Sequence, residues 1–166
     1  MADQKYFLDT NIFISSYRGF YAMDIVPSFW EALSKTALKT KRIYIPDMIK
    51  EEVLRNEDEL TDWLRENIAS FKETLSSVDS VQKSFTKIAD WANSTDRFTE
   101  NAKKTFLSCA DPWIIAHAMT YGGKVVTMEV PAPGSKTKIK IPDVCNQFNV
   151  KYITLYSFMR ELKICI

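Results

Sequence analysis

Apolar residues in this chain fall into short continuous runs separated by longer amphipathic stretches. Tyr6-Phe7-Leu8 stops abruptly at Asp9-Thr10-Asn11, which is how a buried strand leaves the core through a polar loop. Phe29, Trp30, Leu33 and Ala37 share one helical face and predict a helix over 28–40. Arg42-Ile43-Tyr44-Ile45 is a second short strand closed by Pro46-Asp47, and a helix over 47–56 follows it. Leu60, Leu64, Ile68, Phe71, Leu75 and Val78 recur at steps of four and three, predicting one long amphipathic helix. Val81, Phe85, Ile88 and Ala92 repeat the pattern after a break near Asp79.

Asp111-Pro112 opens a further helix that runs through Met119 and ends at Gly122-Gly123; Pro early and Gly late is the expected asymmetry. Residues 124–127 form a third apolar strand, and 131–135 read as a turn. Lys136, Lys138 and Lys140 alternate with Thr137, Ile139 and Ile141, the period of a half-exposed strand. Pro142-Asp143 starts a short helix, residues 151–155 a last strand, and 156–163 a closing helix. Short strands alternating with helices predict an α/β fold of three layers, α/β/α, around a mainly parallel sheet. One domain over 1–166 is expected, with a helical hairpin insertion at about 58–108.

Composition narrows the classes. Apolar residues make up 46% of the 166, enough for a packed core, and four glycines leave little for flexible linkers. The formal charge of +1 removes any general attraction to nucleic acid, so such contacts must come from a local patch beside an acidic pocket. Cys109, Cys145 and Cys165 are odd in number and lack CxxC spacing, which argues for buried, reduced thiols rather than disulfides or zinc. No apolar leader or membrane-length run is present, and a cytoplasmic location is expected.

The candidate chemistry is acidic. In parallel sheets ligands bind outside the carboxyl ends of the strands, and Asp9 and Glu129 both fall at or just past such an end. Glu52 lies on the apolar side of its helix, where a carboxylate is expensive unless paired or metal-bound, while Glu51 points to solvent. Asp111 reads as a helix N-cap whose oxygen remains available to a cation. Thr127, two residues before Glu129, is placed to orient it or a water. Asp143 is the other possible fourth acid, although a capping role suits it. Hard cations such as Mg²⁺ or Mn²⁺ prefer carboxylates, and phosphodiester hydrolysis with such an ion needs no nucleophilic Ser, Cys or His. The single histidine, His117, reads as structural.

Phe7-Leu8-Asp9-Thr10-Asn11 resembles the opening of a PIN domain. Three further stretches keep that family's order: Ile45-Pro46 through Glu51-Glu52-Val53-Leu54, then Ala110-Asp111-Pro112-Trp113-Ile114-Ile115-Ala116, then Val125-Val126-Thr127-Met128-Glu129. The chain is similar to toxins of the VapC type and to an uncharacterised bacterial PIN-like subfamily. The resemblance implies an endoribonuclease with Mg²⁺ or Mn²⁺ on Asp9, Glu52, Asp111 and Glu129, with Thr10, Asn11 and Thr127 orienting water or metal. It implies RNA (tRNA, rRNA or mRNA) as substrate, a cognate helix-turn-helix antitoxin, and a homodimer. Two features depart from the pattern. Glu129 stands where the family has Asp, and the 58 residues between Glu52 and Asp111 exceed those of minimal PIN toxins.

Phosphate contacts need cations near the pocket. Arg18, Lys103, Lys104, Lys136 and Lys138 are the candidates, with Lys140 beside them, and the Arg18-Gly19-Phe20-Tyr21 stretch offers aromatics to an unpaired base. Lys on an edge strand also blocks unwanted sheet pairing, which is the alternative use of the lysine ladder. Two rival readings remain. A haloacid-dehalogenase-like phosphatase also begins strand-Asp, but it needs a second Asp where Asn11 stands. A PIN-like module without catalysis would bind RNA or protein alone.

Overall fold

The computed structural model describes residues 3–166. Tyr6, Phe7 and Leu8 are all buried, as a run apolar on both faces must be, and form β1 (Tyr6–Leu8). Asp9 follows in extended conformation and α1 (Thr10–Ser15) starts at once, so the polar stretch expected as a loop is a helix start. A π-helical turn, Ser16–Phe20, and α2 (Pro27–Thr40) lead to β2 (Ile43–Pro46) and α3 (Asp47–Leu54).

The single long helix expected from Leu60 to Val78 is instead three elements. These are α4 (Glu59–Asn67), a 3₁₀ turn at Ile68–Ser70 and β3 (Lys72–Thr74). The side-chain amide of Asn67 bonds back to the Trp63 carbonyl where α4 ends. Pairing of Lys72–Thr74 with Tyr44–Pro46 then outweighs the local helical pattern. Leu75 and Val78, which that pattern would have buried, are exposed. The segment expected as a helical insertion therefore also supplies an edge strand.

The chain continues through α5 (Asp79–Ser94), α6 (Glu100–Leu107), α7 (Asp111–Tyr121) and β4 (Lys124–Val126). It closes with α8 (Ile141–Gln147), β5 (Lys151–Ile153) and α9 (Leu155–Leu162). Ala110, not Asp111, is the N-cap of α7, which places Asp111 at the first helical position. Residues 136–140 form no strand: Ile139 and Ile141 are buried as the alternation requires, but the backbone pairs with no sheet. Among the described residues no helix is long and apolar enough to cross a membrane.

The five strands are all parallel, in the order β3-β2-β1-β4-β5, with helices flanking the sheet. Successive strands step from β1 outward to β3, then return to the other side of β1 for β4 and β5. The direction of winding reverses between β1 and β4, and a crevice opens there at the carboxyl edge. Helix α7 packs across β1, β2 and β4. Its buried Ile114, Ile115 and Ala118 meet a core that includes Phe7, Leu8, Ile45, Val125 and Val126. Each such Leu, Ile or Phe contributes about 1.5–3 kcal/mol by leaving water. The helix stops at Gly122, whose φ of 70° is left-handed. Gly123 then passes so close to the Phe7 ring that a Cβ would lie 2.4 Å from it.

Candidate active site at the carboxyl edge of the sheet

Asp9 sits at the winding reversal. Its N–H continues the ladder by donating to the Val126 carbonyl at 3.0 Å, so β1 and β4 fix its backbone. The side chain is 0% exposed. The Thr127 hydroxyl donates to Asp9 Oδ2 at 2.9 Å, and the Glu129 N–H donates to that same hydroxyl at 3.1 Å. Thr127 thus ties the ends of β1 and β4 together. Asp9 Oδ1 is buried and finds no hydrogen-bond partner among the described residues. Burial, then the charges of Asp111 and Glu129, push the Asp9 carboxyl up to about 8.

Asp111 and Glu129 act on this carboxyl, and Glu52 acts in turn on Asp111. Asp111 opens α7, where the positive helix end favours a carboxylate, yet burial and the charges of Glu129 and Glu52 raise it to about 6. Glu52 lies in the last turns of α3 and accepts a hydrogen bond from the buried Thr10 hydroxyl. A hollow of about 350 Å³ lies between them, lined by Thr10, Asn11, Glu52, Arg55, Cys109 and Asp111 among others. A second, about 360 Å³, is lined by Asn11, Ser15, Glu129, Lys138 and Lys140. A third of about 220 Å³ shares Cys109 and Asp111 with the first and Lys138 with the second. The shared residues join the three into one acidic mouth with a cationic flank. A separate hollow at Gly122, Gly123 and Lys151 lies at the opposite, amino edge of the strands and contains no carboxylate.

The predicted residues divide clearly. Asp9, Thr10, Asn11, Glu52, Asp111, Thr127, Glu129 and Lys138 gather here. The Glu129 carboxylate is already occupied: Oε2 accepts from the Ile141 N–H at 2.8 Å, and Oε1 lies 3.5 Å from Lys140 Nζ. Asp143 caps a loop rather than its own helix or the pocket. Both its oxygens accept from the Ala132 N–H, and Arg97 lies 3.9 Å away. Lys103 is buried, bonded to the Asn93 carbonyl and paired with Glu100, so it does not face the mouth. Arg18, Lys104 and Lys136 are exposed but line none of these hollows. Of the three cysteines only Cys145 is buried.

Arg55 and Cys109 line the first hollow and were not foreseen. Arg55 stands one helical turn beyond Glu52, a spacing that could have suggested it. Cys109 reaches the pocket two residues before Asp111, and its thiol is pushed up to about 12 by burial and by Asp111, so it stays protonated near neutral pH. Nothing in its sequence surroundings separates it from a packed thiol.

The donor set suits a hard divalent cation: carboxylates from β1, α3 and α7, one of them with a buried oxygen lacking a partner. The ligands are not drawn together in advance. Among the described residues no three acids, cysteines or histidines stand close enough to hold an ion. Glu52 is turned to Thr10 and Glu129 to Lys140, an arrangement that separates like charges.

An all-parallel α/β protein with acids at its winding reversal defines the class. The comparisons place it further: residues 6–166 match one family model, and the chain belongs to that family, Domain of unknown function (DUF4411). No curated protein matches it in sequence. In fold it is similar to VapBC2 from Rickettsia felis, known from a crystal structure bound to a DNA fragment from their promoter. The TM-score is 0.57 at 14% identity, covering 91% of this chain and 98% of that one. This likeness supports a PIN-like fold.

Proposed function

We propose that this protein is a divalent-metal-dependent endoribonuclease, the toxin of a toxin–antitoxin pair. The observation that carries the reading is the buried, unpartnered Asp9 Oδ1 at the winding reversal, facing the charges of Asp111 and Glu129. A buried carboxylate pushed up to about 8 is poorly matched to its surroundings unless a cation joins it. Asp9, Glu52 and Asp111 would hold Mg²⁺ or Mn²⁺. When bound, such an ion neutralises phosphate charge and makes water a nucleophile at neutral pH.

The chain's own residues set the geometry around it. Thr127 fixes Asp9, and Thr10 holds Glu52 at the pocket wall. Lys138 faces Asp111 from across the mouth and draws its carboxyl down against the larger effects of burial. An RNA phosphate lying between the two hollows would meet Lys138 on one side and the ion on the other. A helix-turn-helix antitoxin is the expected partner, since the structural neighbour is itself a VapB–VapC assembly on promoter DNA. Phe20 and Ile25, exposed at 57% and 76%, are apolar groups such a partner would cover. The location expected for this activity is the cytoplasm.

The test is incubation with tRNA and mRNA pools plus Mn²⁺ or Mg²⁺, beside Asp9→Asn and Asp111→Asn. Cleavage by the parent protein alone, abolished by EDTA, is expected. Equal cutting by all three proteins would trace the activity to a contaminant and end the proposal. A second reading is a binding module without catalysis, favoured by the commitment of Glu129 to Lys140. It predicts that RNA is retained uncut and that Mn²⁺ leaves thermal stability unchanged.

A further inference from the structure

We propose that the Lys140 ammonium supplies the second positive charge of this site, so that it takes a single divalent ion rather than a pair. The inference rests on the metal-dependent reading above and concerns the half of the mouth that reading leaves open. Among the described residues Glu129 is the acid that lines the hollow on the β4–α8 side, and both of its oxygens are engaged. The Ile141 N–H donates to Oε2 at 2.8 Å, and Lys140 Nζ stands 3.5 Å from Oε1. Lys140 is held there by its own chain, because Ile141 begins α8 and Ile139 and Ile141 are both buried on either side of it. Its side chain is 24% exposed and that of Glu129 only 10%, so solvent screens the pair weakly.

The loop carrying these groups is pinned from behind. Arg97 donates to the Ser135 and Ala132 carbonyls at 3.1 and 2.8 Å, and the Lys136 carbonyl accepts from Thr99 at 2.9 Å. Lys140 is therefore a built-in counter-charge on Glu129, while Lys138 is the lysine that draws the neighbouring Asp111 carboxyl down. Among the described residues the buried carboxylate oxygen left without a partner is Asp9 Oδ1, on the other side of Thr127. On this account Glu129 is a positioning residue that braces the lysine loop, and the longer Glu in place of Asp reaches Lys140 and the α8 backbone.

Mn²⁺ titration followed by the electron paramagnetic resonance of the free ion counts the sites directly. The whole protein is expected to bind one Mn²⁺. Lys140→Met, which uncovers the Glu129 carboxylate, is expected to gain a second, weaker ion. Lys140→Arg should keep one, and Lys140→Met combined with Glu129→Gln should return to one, with thermal unfolding confirming that each variant folds. Two ions in the parent protein, or one in Lys140→Met, would overturn the inference and leave the nuclease proposal standing. Zero ions in the parent would sink both.

Discussion

Asp9→Asn should make the metal-free protein more stable, and the gain should grow with pH. The Asp9 carboxyl ordinarily ionises near 3.8 and is raised to about 8 in the folded chain by burial first and by Asp111 and Glu129 next. Between those values the unfolded chain has lost this proton and the folded chain keeps it, so stability falls as pH rises. Each pH unit in the window is worth about 1.4 kcal/mol. By pH 7 the accumulated penalty is about 4 kcal/mol, and by pH 5 under about 2. An amide removes the titration and still offers an oxygen to Thr127, but it sets an N–H₂ where Oδ1 had no partner, which returns about 1–2 kcal/mol of the gain. The net expectation near neutral pH is about 2–3 kcal/mol, or about 5–10 °C in Tm for a domain of this size. Thermal and urea unfolding in EDTA from pH 5 to 8 measures it. Saturating Mn²⁺ should close the gap, because ligand at about 100 times Kd adds about 2.7 kcal/mol to the parent alone. A variant that is less stable at pH 8, or a difference that ignores pH, would refute the account of a strained, cation-seeking carboxylate.

Two further outcomes follow from the core. His117 is fully buried, neither ring nitrogen finds a hydrogen-bond partner among the described residues, and burial lowers it to about 4 against a counter-pull from Asp47. The folded chain thus holds fewer protons than the unfolded one between 6.5 and 4. Stability present above 6.5 is lost as pH falls, by up to about 3 kcal/mol. His117→Phe should flatten that acid slope in urea titrations, and an unchanged slope would assign it to another group. Gly123→Ala would set a Cβ 2.4 and 2.7 Å from Phe7 ring carbons and 3.1 Å from the Lys5 carbonyl. A loss of about 1–3 kcal/mol is expected from such overpacking, read as a lower urea midpoint; an unshifted midpoint would mean that Phe7 yields freely.

What was legible in the sequence is what depends on local pattern. Asp9 could be found because an apolar run ends on it, and Glu52 because a carboxylate on a packed helical face needs a reason. The third strand of the sheet edge could not. Lys72-Glu73-Thr74 is too short to show a period of two, and its neighbours Leu60, Leu64 and Phe71 continue a helical spacing that only tertiary pairing interrupts. Lys103 and Lys104 are equivalent by sequence, yet α6 turns one into the protein against Asn93 and the other outward. The alternation over 136–141 correctly marks Ile139 and Ile141 as buried but cannot reveal that no strand is available to pair with them. Nor could spacing show that Glu129 is bound to Lys140, a partner eleven residues on that a loop folds back to it.

On the proposed nuclease reading, the placement of these charges would let a chain of net charge +1 address a polyanion. Bulk charge would draw nucleic acid to any surface, whereas here the cations Lys138 and Lys140 stand on one wall of the mouth, with Glu129 tied to Lys140, and Glu52 and Asp111 stand on the other. Without an ion the acidic wall repels phosphate, and Asp9 and Asp111 moderate that repulsion by holding protons up to about 8 and about 6. With an ion the same wall would become attractive, so on this proposal substrate affinity and metal occupancy would be linked in one free energy. A phosphate seated there would need both walls at once. Thr127 and the Arg97-pinned loop therefore matter as much as the carboxylates, since they fix the distance between the walls.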